Sequence, residues 1–217
     1  MEKPSIKNGK IVNLLRTKFL NVSDYQFFEG GHYYTVTRRK DDDLVVLKSD
    51  EEFKELTADA VQCLVVVRND DGDRLLVFQE FRYPVGQYLL SVPAGLIDPA
   101  DKASENALKT SAVRELYEET GLSFKDGDTF KVVLPSVLSS PGFCDETNAV
   151  CLFVLNNPDL SSMNDSNKES TECFADYELI DKKTALEYIK TGKDKDGKMY
   201  SIYTFAALLY FVSDLWK

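Results

Sequence analysis

Arg114-Glu115-Leu116-Tyr117-Glu118-Glu119-Thr120-Gly121-Leu122 is the most informative stretch of this 217-residue chain. On a helix Glu115 and Glu119 are neighbours four residues apart and Glu118 lies beside them, so three carboxylates crowd one narrow face. Like charges so placed repel, and they stand at the C-terminal end, where the helix dipole disfavours anions. Arg114, four residues before Glu118, offsets one charge. A hard divalent cation, which prefers clustered oxygen ligands, would offset the others. By spacing alone, the same pattern also describes an ordinary solvated acidic face.

Working outward, the helix is expected from Ser104, an N-cap candidate, to Thr120, with Leu108, Ala112 and Leu116 at four-residue steps and Gly121 just past its end. Upstream, Pro93-Ala94-Gly95-Leu96-Ile97-Asp98 reads as a turn that can bring a backbone carbonyl to the helix. Before it, VQCLVVVR from Val61 and RLLVFQEF flank Asn69-Asp70-Asp71-Gly72-Asp73, a hairpin signature, and a further strand is expected over Gln87 to Val92. Downstream, strands are expected at Thr129 to Leu134, Thr147 to Leu155 and Cys173 to Ile180, the last two separated by the polar loop SSMNDSNKEST. Asp181 can cap a helix reaching Lys190, and Tyr200 to Trp216 reads as a final helix. At the N-terminal side TKFLNV, HYYTVTRR and LVVLK, split by Glu29-Gly30-Gly31 and Asp41-Asp42-Asp43, suggest a small antiparallel sheet, followed by a linker or short helix over Ser49 to Thr57. Strands and helices alternate irregularly, which points to an α+β fold with a mixed sheet between helices.

Composition narrows the function classes. Ten more acids than bases (36 against 26) give a formal charge of −10, and so acidic a surface argues against nucleic-acid binding, which runs on Lys and Arg. An acidic protein still takes an anionic substrate when a divalent cation mediates. No apolar run approaches the ~20 residues of a membrane span, and the first twenty residues lack an export signal, so a soluble, cytoplasmic protein is expected. Cys63, Cys144, Cys151 and Cys173 have no CxxC spacing and read as reduced and structural. His32, the sole histidine, has no second ligand type spaced around it and is assigned no role.

The residues resemble the Nudix hydrolase family. Gly95 and Arg114 to Leu122 match its box, in which a Gly and a Glu precede Arg-Glu, an aliphatic, any residue, Glu-Glu, any residue, Gly and an aliphatic. The flanks resemble the ADP-ribose pyrophosphatase-like branch: Gln79 to Gly86 before the box, Val92 to Asp98 opening it, and Ser139-Ser140-Pro141-Gly142-Phe143 after it. The chain departs from the pattern in three ways. The box holds five extra residues, so its first acid is either Asp101 or Glu105; Ser91 stands where the branch commonly has an acid; and Pro141 lies nineteen residues beyond Leu122.

The resemblance implies a Nudix α/β/α sandwich over residues 58–217, preceded by a β-rich region, 1–57, through which the branch forms homodimers. It implies hydrolysis of a nucleoside diphosphate sugar, with ADP-ribose cut to AMP and ribose 5-phosphate as the leading case. Another sugar nucleotide, a dinucleotide, or a non-catalytic nucleotide-sugar sensor are the alternatives. Mg²⁺, or Mn²⁺ in its place, would be held by Glu115, Glu119 and the Ala94 carbonyl, with Glu118 sharing an ion or orienting through Arg114. The base is expected on the loop after the box, at Glu172 or Glu169. Arg82 would face the substrate's phosphates or terminal ribose, or otherwise sit in a surface ion pair. Pro141 and Phe28 are substrate-contact candidates, and Phe27, Phe28, Tyr33 and Tyr34 are either base-stacking or core residues.

Overall fold

The computed structural model describes residues 4, 6, 10–102, 104–164, 166–168 and 170–217. They fall into two compact units: the chain up to Asp59 together with Pro135–Asn148, and Ala60–Leu134 together with Ala149–Lys217.

The first unit holds β1 (Ile11–Arg16), β2 (Asn21–Tyr25) and β3 (Tyr33–Thr37), an antiparallel meander in that order. Gly30, at φ +73°, supplies a left-handed residue in the turn between β2 and β3. Two sequence expectations fail here. The first strand is Ile11–Arg16, and Thr17–Leu20 is the turn after it, closed by Thr17 N–H donating to the Leu20 carbonyl (2.9 Å). LVVLK is not a strand: Leu44 is buried, and Val45–Leu47 wind into a short 3₁₀ turn because consecutive apolar residues give no inside–outside alternation for a sheet to use. The short helix α1 (Asp50–Lys54) starts on a capping box, Ser49 accepting from Glu52 N–H while Glu52 accepts from Ser49 N–H. Arg39, nearly buried, is held by Asp59 (2.7 Å) and Thr147 Oγ1 (3.1 Å). His32 does have a partner, Asp24 Oδ2 at 2.6 Å, within the sheet.

The second unit holds most of a seven-stranded sheet. Its strands are β4 (Ala60–Asn69), β5 (Gly72–Arg82), β6 (Gln87–Ser91), β7 (Ala94–Leu96), β8 (Thr129–Leu138), β9 (Thr147–Asn156) and β10 (Phe174–Ile180). The order is β10-β5-β4-β9-β8, with β6 paired to β5 and β7 to β4. The β4–β5 hairpin forms where the Asn-Asp-Asp-Gly signal places it, with Gly72 at φ +107°. β8 runs past the expected Leu134 through Pro135, which an end strand tolerates because no ladder donor is needed on its free edge. The helices are α2 (Pro99–Lys102), α3 (Ala107–Thr120), α4 (Lys182–Thr191) and α5 (Ile202–Val212).

Ser104 is not the N-cap of α3; its hydroxyl is engaged by Thr110 and Asn106 N–H, and the helix begins three residues later. α5 is shorter than Tyr200 to Trp216, capped by Ser201 and ending before Asp214, whose φ of 63° no helix continues. Phe78, Phe153, Phe211, Leu64, Leu116 and Leu152 are among the fully buried side chains of this unit. All four cysteines are free thiols. No helix among the described residues is long and apolar enough to cross a membrane.

Candidate active site

α3 presents its carboxylates to the β4–β7 corner of the sheet. Gly95, in β7, pairs with Val61 of β4, and a Cβ built on it would lie 2.0 Å from both Cδ and Oε1 of Glu115. A glycine is therefore required for the carboxylate to reach the strand. One turn on, Glu119 Oε2 accepts the Ala94 N–H at 2.9 Å. Glu115 and Glu119 are buried, 6% and 2% exposed, which departs from the solvated acidic face that spacing alone allows.

Arg114 ties the helix to the turn before it. Its Nη1 lies 2.8 Å from both Glu115 Oε1 and Glu118 Oε2, Nη2 donates to the Leu96 carbonyl (3.0 Å), and Nε and Nη2 each reach Asp101 Oδ2 at 3.2 Å. Ser111 Oγ donates to that same Asp101 oxygen at 2.9 Å. Of the two candidate acids, Asp101 faces the box arginine and Glu105 is exposed.

Burial dominates the electrostatics. It pushes Glu115 up to about 7, outweighing Arg114, with Glu118 and Glu172 adding repulsion. It raises Glu119 well above the usual carboxylate range against the stabilising Ala94 N–H, and the charges of Glu80, Glu115 and Glu172 push the same way. Glu80 is also raised, by burial first, against the opposing charge of Arg82 and with the added repulsion of Glu172. Five acids, Glu80, Glu115, Glu118, Glu119 and Glu172, therefore act on one another here. Sequence reasoning misses the part Glu80 plays; its signal is an acid inside β5 beside Arg82.

The expected residues are distributed as follows. Arg82 pairs with Glu80 at 2.9 Å and is half-exposed, the ion-pair alternative for that side chain. Glu169 lies outside the described residues. In the first unit, Tyr25, Phe27, Tyr33, Thr35, Pro141 and Asp145 help line a hollow of about 310 Å³. Phe28 does not line it. That ring is 72% exposed and folds over Gly31, and Tyr34, on the alternate face of β3, is exposed as well.

Among the described residues no three acid, His or Cys side chains stand gathered as a ready-made ion site, and Arg114 engages Glu115 and Glu118 alike. The donor set nonetheless fits a hard divalent cation: it is all oxygen, buried, and carries repulsion that one arginine and one N–H only partly relieve.

Residues 57–200 match the NUDIX domain model, and the chain belongs to the Nudix family. It is 33% identical over 127 residues to an ADP-ribose pyrophosphatase of Saccharomyces cerevisiae, covering 54% of this chain and 49% of that protein. It is 28% identical over 154 residues to an ADP-sugar pyrophosphatase of Mus musculus, covering 68% and 66%. The chain spans about half the length, or less, of most curated relatives it matches. A crystal structure of an ADP compounds hydrolase shares the fold at a TM-score of 0.59 and 18% identity, covering 96% of this chain and 92% of that one.

Proposed function

We propose that this protein hydrolyses the diphosphate of a nucleoside diphosphate sugar, with ADP-ribose, cut to AMP and ribose 5-phosphate, as the leading substrate. The observation that carries the reading is the junction of β7 and α3, where Gly95 admits Glu115 and Ala94 N–H holds Glu119. The names of the yeast and mouse relatives support the substrate class.

A diphosphate is an anion that repels hydroxide, so its hydrolysis needs charge neutralisation, a positioned water and a base. Mg²⁺, or Mn²⁺, would be held by Glu115, Glu119 and the Ala94 carbonyl, and when bound supplies neutralising charge and a more acidic water. Glu118 acts through Arg114, fixing the guanidinium that in turn braces Glu115. Glu172, whose charge is felt by Glu80, Glu115 and Glu119, takes the proton of the attacking water as that oxygen bonds to phosphorus and the bridging P–O bond breaks. Arg82 exchanges Glu80 for a substrate phosphate oxygen. In this reading the protein works as a homodimer through the N-terminal sheet, whose strand β1 is exposed along most of its length.

The sensor alternative takes its motive from the interrupted box. Asp101 holding Arg114 supports the hydrolase reading over it. The reading is tested by incubating the protein and Mg²⁺ with ADP-ribose, ADP-glucose, GDP-mannose and NADH. Release of a nucleoside monophosphate is expected, fastest from ADP-ribose; turnover of none of the four sinks it.

A further inference from the structure

The segment between β9 and β10 carries Glu172 at its far end and is tied to the sheet at both ends. Asn157 N–H donates to the Arg68 carbonyl (2.8 Å), and the Cys173 carbonyl accepts from Phe81 N–H (3.0 Å). Its middle is tied to the carboxylate helix instead. Asn164 N–H donates to the Thr120 carbonyl at 3.1 Å, one of the last-turn carbonyls that a helix leaves without an internal partner. The Asn164 side chain donates to the Ser162 carbonyl (2.6 Å) and accepts from Ser166 N–H (2.9 Å), so the turn braces itself. A second tie fixes the same helix end: Tyr177, on β10, donates its hydroxyl to the Glu119 carbonyl at 2.5 Å.

That docking depends on residue 121 having no side chain. A Cβ on Gly121 would lie 2.3 Å from the Ser162 carbonyl oxygen, 3.0 Å from Asn164 Nδ2 and 3.2 Å from Asn164 N. Two of those three atoms are backbone and cannot rotate away. Capping a helix does not by itself demand such an approach. Gly192 ends α4 in the same left-handed conformation, φ 70° against 72°, and has nothing within 4 Å of a built Cβ.

We infer that Gly121 is a positioning residue as well as a helix cap: its bare Cα lets the 160–164 turn latch onto the end of α3. The latch sets the segment bearing Glu172 against the helix bearing Glu115 and Glu119. The inference rests on the hydrolase reading, in which Glu172 is the base. A misplacement of about 1 Å in a catalytic group can cost on the order of 100-fold in rate, so a latch one residue past Glu119 bears directly on turnover.

The two glycines provide their own control. Asn tolerates the left-handed conformation, so Gly121→Asn keeps the cap while adding the offending Cβ, and Gly192→Asn adds a Cβ where nothing is met. Gly192→Asn should leave kcat, KM and the protection of the Asn164 amide against hydrogen exchange unchanged. Gly121→Asn should expose that amide and lower kcat by about 10- to 100-fold, with KM changed far less. Asn164→Ala, which keeps the backbone bond and removes the brace, should lower kcat by about fivefold, the worth of one hydrogen bond; it serves where Gly121→Asn does not fold. Gly121→Asn behaving like Gly192→Asn, or losing amide protection with kcat intact, overturns the inference. Absence of turnover in the unaltered protein would instead remove the hydrolase reading, and the exchange comparison would still decide whether the latch exists.

Discussion

At the scale of single residues, the junction of Gly95, Glu115 and Glu119 makes two sharp predictions. A methyl group at 95 must displace either the Glu115 carboxylate or the β7–β4 pairing. Overpacking of this kind costs about 1–3 kcal/mol, and here it also disturbs the proposed ligand set. Gly95→Ala is therefore expected to lower stability by that amount in urea unfolding and to reduce turnover by roughly 100-fold or more; activity at the unaltered level would refute the close approach. The second prediction concerns pH. Glu115 is raised to about 7 in the fold, and Glu119 and Glu80 move the same way. Between the ordinary carboxylate range and 7 the folded protein binds more protons at Glu115 than the unfolded chain does, so metal-free stability must fall as pH rises through that window, by up to about 1.4 kcal/mol per pH unit for that carboxyl, with Glu119 and Glu80 acting in the same direction. Below the window the carboxyls are protonated in both states and nothing is lost. Unfolding in chelator from pH 4.5 to 8 should show the decline and added Mg²⁺ should reduce it; a curve that climbs over that range contradicts the assignment.

At the scale of elements, the box insertion is the instructive case. Counted along the sequence, Asp101 and Glu105 are equal candidates, because spacing cannot say where five added residues leave the helix and turn. The structure starts α3 at Ala107 and keeps Asp101 on α2, where it meets Arg114 and Ser111. Asp101→Asn should thus destabilise the protein by about 1–3 kcal/mol, the usual range when a partly buried charged hydrogen-bond partner is removed. Glu105→Ala should stay within about 0.5 kcal/mol of the parent. Thermal unfolding of the pair decides between them, and equal effects would undo the distinction. Elements written in local chemistry are legible: the Asp-Gly hairpin turn, the Gly121 helix end and the Asp181 cap, which accepts from Thr184 N–H at 2.8 Å. Ser104 misleads because a cap residue also bonds locally outside helices. Glu80 is hidden because its importance comes from which acids the sheet brings beside it, and no spacing along one strand encodes that. The latch at Gly121 is hidden for the same reason: its counterpart, Ser162, lies forty-one residues further along the chain.

At the scale of the whole molecule, the free edge of β1 is where the proposed homodimer is tested. That strand is first in its sheet, so one row of backbone donors and acceptors has no strand beside it among the described residues. Val12, Leu14 and Leu15 are each about half exposed along it. Exposed, apolar edges are aggregation hazards unless another chain covers them, and the proposed homodimer provides that cover. Sedimentation at micromolar concentration is expected to give twice the chain mass. Leu14→Lys with Leu15→Lys should shift the population toward single chains, since two ammonium groups facing their symmetry copies repel and resist desolvation. Thermal unfolding then becomes the second measurement. If dimerisation contributes to stability, the unaltered protein's midpoint rises with protein concentration and that of the double variant does not. An unaltered protein that sediments as a single chain at every concentration excludes the dimer, and the apolar row on β1 would then have some other role.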